Sequence, residues 1–139
     1  VDTSWAKKIG SSKAFRSFAS LTELVQALSL QMSEWPQDTY LSIDKDVFAP
    51  EVVRTNWDQG QMLEKQAMGL IDALRGQIIG SDITGDVSAW KYSTWWKRLM
   101  SAGDGQDTQI DAETLAAWQA GQHGLNQRLV QRIAASSTS

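Results

Sequence analysis

Leu63, Ala67, Leu70, Ile71, Leu74 and Ile78 follow one another at helical intervals and fall on one stripe of a helix with 3.6 residues per turn. An apolar stripe of this kind is stable in water only when another apolar surface covers it. The spacing predicts a helix over 57–79. Thr55 and Asp58 are placed to cap its start, and Gly80 suits its end. Gly69 and Gly76 fall inside this span at a cost of about 1 kcal/mol each relative to alanine. That cost is more readily tolerated where a second backbone comes close.

The nearest candidate cover is the stretch VSAWKYSTWWKRLM, residues 87–100, which follows the loop GSDITGD. A helix over 87–101 would complete an antiparallel hairpin with 57–79. On such a helix Val87, Trp90 and Thr94 share one face that continues towards Leu99, with Trp95 between faces. Six residues at 100° each carry Trp96 well round the axis from Trp90. Trp90 is therefore the expected core anchor. Tyr92, Trp96 and Lys97 are the residues left to meet a partner, consistent with the enrichment of aromatic residues in binding hot spots.

Three further helical segments are legible. Ser20 followed three residues later by Glu23 is a capping-box pattern. Leu21, Leu24, Val25 and Leu28 then make one apolar face, and Pro36 forces a stop, so a helix is expected over 21–33. Asp111 is the expected N-cap of a short helix ending near Gly121, and Leu125, Leu129, Val130 and Ile133 suggest another segment behind it. The stretch TYLSI, residues 39–43, alternates in the manner of a strand, with DKD as a turn and Val47–Phe48 as a return strand. Residues 14–18, AFRSF, offer a partner strand, although Phe15 and Phe18 also suit a helix. The expected fold is mainly α: a helical hairpin over 57–79 and 87–101, packed with further helices and a small β-element. A single domain is expected, with flexible ends at 1–13 and 134–139.

Chemistry is narrowed mainly by what the chain lacks. It has no cysteine, which removes disulfides, thiolate metal sites and cysteine nucleophiles. A net charge of −3 argues against a non-specific nucleic-acid binder. No apolar run approaches the ~20 residues that span a bilayer. His123, the only histidine, lies between glycines with no serine or carboxylate at a motif spacing, and reads as a solvated loop residue. DITGD and DGQD lack the full calcium-loop pattern; Asp82, Asp86, Asp104 and Asp107 read as caps and turn residues. No catalytic, cofactor or metal residues are assigned, and an enzyme is not the expected reading.

The order FASLTELVQAL, Trp35–Pro36, a long helical stretch and then TQIDAETL resembles GfcC-type periplasmic proteins of capsule and exopolysaccharide assembly. That family carries a helical hairpin inserted in a β-grasp domain and then re-enters the sheet through a turn to which QIDAE, 109–113, is similar. This chain departs from it after that point, with helical segments where the family has a second β-grasp domain. The resemblance implies an α+β fold with 14–18, 39–43 and 107–110 as the sheet, a non-enzymatic envelope role and a periplasmic location, which a signal peptide upstream of Val1 would favour.

The sequence thus points to a protein-interaction module that binds a protein partner or a second copy of itself, or a glycan. One alternative is an all-helical cytoplasmic adaptor of a secretion, phage or regulatory assembly, with 39–48 as loop. Another is a small glycan hydrolase that draws its acids from Asp104, Asp107, Asp111 and Glu113.

Overall fold

The computed structural model describes residues 18–34, 37–87 and 110–137. Helix α1, Leu21–Ser33, starts where the sequence places it. Ser20 Oγ accepts from the Glu23 amide at 3.2 Å, and the Glu23 carboxylate accepts from the Ala19 amide at 3.0 Å. Strand β1, Thr39–Asp44, follows and shows the alternating exposure that its sequence suggested.

Beyond β1 the chain departs from expectation. Lys45–Val47 is a single 3₁₀ turn started by the Asp44 side chain, which accepts from the Asp46 amide. Phe48 then forms a parallel bridge with Met62 rather than a return strand beside β1.

The 57–79 helix is replaced by three pieces: a loop up to 63, helix α2 over Glu64–Ala73, and strand β2 over Ile78–Thr84. The loop holds its shape through Gln59. This side chain accepts from the Thr55 amide at 3.3 Å and donates to the Phe48 and Val53 carbonyls at 3.2 and 2.8 Å. Thr55 is buried in that loop instead of capping a helix. At the start of α2 the Gln66 side chain accepts from the Leu63 amide at 2.8 Å. Its far end is set by Gly76, whose φ of +79° lies in the left-handed region that glycine adopts without strain. The stripe read from the sequence still marks the core, since Ala67, Ile71, Leu74 and Ile78 are all buried. Ile78 reaches that core from a strand, where the β-branched residues of IIGSDIT fit a pleated surface better than a helix.

β2 lies parallel to β1 in register Tyr40↔Gly80 to Asp44↔Thr84, with a slip at the first pair that leaves Ile79 without a partner. Parallel neighbours need a crossover, and the segment containing α2 supplies it. The fold of the described residues is therefore α+β. These two strands mean that the described residues are not all-helical. The second member of the expected hairpin, 87–101, lies outside the described residues apart from Val87, as do 14–17 and 107–109.

Helix α3, Ala112–Ser136, runs unbroken through Gly121 and Gly124, where the sequence suggested a stop. Asp111 is its N-cap, accepting from the Thr114 amide at 2.9 Å. Leu125, Leu129 and Ile133 from one face join Phe48, Val53, Ala67, Ile71, Leu74 and Ile78 in a single core. Burying three such side chains contributes about 1.5–3 kcal/mol each, which outweighs two helical glycines at about 1 kcal/mol each. Val130, expected on the same face, is 55% exposed. Residues 134–136, expected to fray, form the last helical turn: Ser136 is fully buried and its carbonyl accepts from the Gly76 amide at 2.8 Å.

Candidate functional site

Two places combine geometry with chemistry. The first lies at the carboxyl ends of the parallel strands, where α/β folds commonly bind ligands. Lys45 leaves β1 with its side chain completely buried, and its ammonium donates to Asp86, just past β2, and to Asn126 Oδ1 of α3 at 3.2 Å. The Lys45 ammonium holds the Asp86 carboxyl below the usual carboxylate range, although most of Asp86 faces solvent. Gly85, with φ +80°, lets the two strand ends meet: a Cβ there would lie 2.6 Å from Asp44 Oδ1 and 2.9 Å from the Lys45 amide nitrogen.

One helical turn from Asn126, buried Gln122 accepts from the Val87 amide at 2.8 Å and donates to the Arg54 and Gly85 carbonyls at 2.9 and 3.3 Å. Its carboxamide is thus used as a clamp between α3 and two loops. Burial pushes the neighbouring Asp46 carboxyl up, against an opposing hydrogen bond from Thr55. Every strong donor in this knot is already spent on the protein itself, which makes it a device for joining chain segments.

The second place is apolar. A hollow of about 190 Å³ is lined by Leu28 and Met32 of α1, by Leu41, Ser42, Ile43 and Asp44 of β1, and by Ala67, Leu70, Ile71 and Leu74 of the α2 segment. A neighbouring hollow of about 440 Å³ shares Leu28, Met32, Leu41, Ser42 and Leu74 and extends to Gln31, Thr39 and Tyr40. Side chains of successive strand residues point to opposite faces, so consecutive residues can line one hollow only along the strand's edge. Between them the two hollows follow β1 from Thr39 to Asp44.

Helix α1, the outer wall, has no fully buried residue; its apolar face, Leu21, Leu24, Val25 and Leu28, is only half covered. Tyr40, 64% exposed, lies against Gly80 at the mouth of the cleft, next to exposed Ile79.

The charged side chains between α2 and α3 form pairs. Arg128 meets Glu64 in a two-bond fork at 2.6 and 2.9 Å, and Arg132 donates to Asp72. The fork holds the Glu64 carboxyl below its ordinary value. His123 stands on the exposed side of α3, not in a loop, with its Nε2 3.0 Å from Gln127 Nε2. Among the described residues no group of three or more His, Cys, Asp or Glu side chains could hold a metal ion, and no helix is long and apolar enough to cross a membrane.

Of the residues singled out from the sequence, Tyr92, Trp96 and Lys97 lie outside the described residues, together with Trp90, Trp95, Asp104 and Asp107. Asp111 serves as a helix cap, and Glu113 is exposed in the first turn of α3. Asp82 lies within β2, while Asp86 pairs with Lys45; the helix it was expected to cap lies outside the described residues. Sequence reasoning missed Lys45 and Gln122, because DKD carries the composition of a turn and a glutamine inside a helix has no distinguishing pattern. It also missed the cleft, which forms between elements far apart in the chain and leaves no local pattern. The chain matches no family model, curated protein or solved structure.

Proposed function

We propose that this chain is a non-enzymatic protein-interaction module whose contact surface is the apolar cleft along β1. The supporting observation is the cleft itself, which follows a strand edge from Thr39 to Asp44 beside a helix with no fully buried residue. An apolar hollow bordered by a strand edge suits a polypeptide partner, which can satisfy both the main-chain groups and the pockets. The other conspicuous group, Lys45 with Asp86 and Asn126, is occupied internally and offers no free nucleophile or base.

The biological setting proposed is bacterial envelope polysaccharide assembly or export, in the periplasm. It rests on the resemblance of FASLTELVQAL, Trp35–Pro36 and QIDAE to GfcC-type proteins. In that reading β1 and β2 belong to a β-grasp-like sheet interrupted by a helical insertion. Tyr92, Trp96 and Lys97 are proposed as additional contact residues on the strength of their sequence alone.

A photo-crosslinking amino acid at Gln31, exposed on the rim of the cleft, tests the reading in the cells that make the protein. The expected result is one discrete cross-linked partner protein. It should be lost in a folded Leu28→Lys variant and absent with the same probe at exposed Ala117 on α3. Identical products from both positions, or none from Gln31, would remove the cleft from consideration.

A further inference from the structure

The side of α2 turned away from the cleft borders a hollow of a different kind. Lys65, Gly69 and Asp72 recur at helical intervals on α2, and Arg128, Gln131 and Arg132 do the same on α3. Between them lies an open hollow of about 620 Å³, whose other lining side chains are uncharged. Three bases and one acid give its lining a charge of +2, in a chain whose net charge is −3. Glu64 and Arg75, which stand beside it, cancel each other.

The ion pairs across the hollow leave donors over. Arg128 uses Nε and Nη2 on Glu64, and Arg132 uses Nη2 on Asp72, which Arg75 also faces at 3.7 Å. Arg132 Nε is buried and has no hydrogen-bond partner among the described residues. Exposed Lys65 forms no ion pair among the described residues.

Gly69 is an independent sign. It sits inside a helix, where glycine is less stable than alanine, and a Cβ there would meet nothing within 4 Å. Among the described residues no neighbouring backbone uses that space, so the missing side chain leaves room in the hollow itself.

We infer that this hollow binds a compact dianion, a phosphate group, held by the Lys65 ammonium and the remaining N–H groups of Arg128 and Arg132. The charge of the lining matches that of a phosphate monoester at neutral pH, about −1.5 to −2. Guanidinium N–H groups suit phosphate oxygens in direction, and lysine adds a point charge. Asp72 is offset by Arg132 and Arg75. The negative charge of the whole chain disfavours a long polyanion such as a nucleic acid. The site is separate from the cleft along β1 and does not depend on its role.

The test titrates the full chain with inorganic phosphate, glycerol 3-phosphate and acetate at fixed ionic strength. The Gly69 amide and the Arg132 Nε–H are followed by NMR. Phosphate should shift both signals saturably and bind at least about fivefold more tightly than acetate, which carries one charge. Lys65→Gln breaks no ion pair and should weaken phosphate binding roughly threefold to fivefold. Gly69→Leu favours the helix while filling the hollow, and should abolish saturation.

Tighter binding of glycerol 3-phosphate than of inorganic phosphate would support the site and make its ligand a phosphate ester. The reverse order would support it and make the ligand free phosphate. Equal shifts with acetate, or phosphate binding unchanged in both variants, would reduce the effect to surface screening and overturn the inference. Absence of saturable shifts with either phosphate would also overturn it.

Discussion

Lys45 and Asp86 form an ion pair with one buried and one exposed member, and that asymmetry predicts that their removal has unequal costs. The Lys45 side chain is 0% exposed, whereas that of Asp86 is 66% exposed. Replacing Asp86 with alanine leaves an ammonium in the interior with, among the described residues, Asn126 Oδ1 at 3.2 Å as its remaining hydrogen-bond partner and Asp46 as a nearby charge. Breaking a buried pair in this way typically costs 3–5 kcal/mol, and the surviving hydrogen bond brings the expectation here to about 2–4 kcal/mol. Replacing Lys45 with methionine strands only a carboxylate that water already reaches. The methylene stem stays packed and the desolvation of the ammonium is relieved, so the expected change is within about 1 kcal/mol.

The double variant should resemble Lys45→Met alone, because Asp86 has little left to do once the ammonium is gone. Urea unfolding of the four proteins at neutral pH closes the cycle, with the coupling read from the midpoints at constant slope. Equal losses from the two single changes, or a loss below about 0.5 kcal/mol for Asp86→Ala, would refute the reasoning. Lys45 would then have to reach water, or a substitute acceptor, in solution.

The glycines should split. Gly69→Ala and Gly121→Ala meet nothing within 4 Å of the added Cβ and should each raise stability by about 0.5–1 kcal/mol; Gly85→Ala, at φ +80° and against Asp44 and Lys45, should lower it by more than 1 kcal/mol in the same thermal melts. Leu74→Ala, at a site 2% exposed, should cost about 2–5 kcal/mol, and Leu70→Ala, half-exposed in the cleft wall, clearly less; equal losses in denaturant would place Leu70 in the core. The Arg128 fork depresses the Glu64 pKa in the folded chain, so its stabilisation is present above the ordinary value of 4.5 and is lost as pH falls through the folded pKa. Glu64→Gln should therefore flatten the acid side of the stability profile below about pH 4.5, measured by urea midpoints across pH, and leave the alkaline side unchanged.

What the sequence determined by itself was local. Ser20 and Asp111 start helices because a side-chain oxygen can reach an amide three residues on, and that geometry is written within four residues. Thr39–Asp44 is a strand because its alternation and β-branched residues leave few other options. The identity of the core was also legible, since Ala67, Ile71, Leu74 and Ile78 are buried as their spacing implied.

Tertiary structure decided the conformation in which some of those residues reach the core. Ile78 fits a helical stripe and a buried strand equally well at the level of spacing. Gly76 turning against the Ser136 carbonyl, and β1 offering its edge, settled the matter. Gly121 could not end α3, because Leu125, Leu129 and Ile133 beyond it had a core to enter. Neither the burial of Lys45 nor the cleft beside β1 has a local signature. Both arise only where elements far apart in the chain meet, Lys45 with Asp86 and Asn126, Leu28 with Leu41 and Leu74.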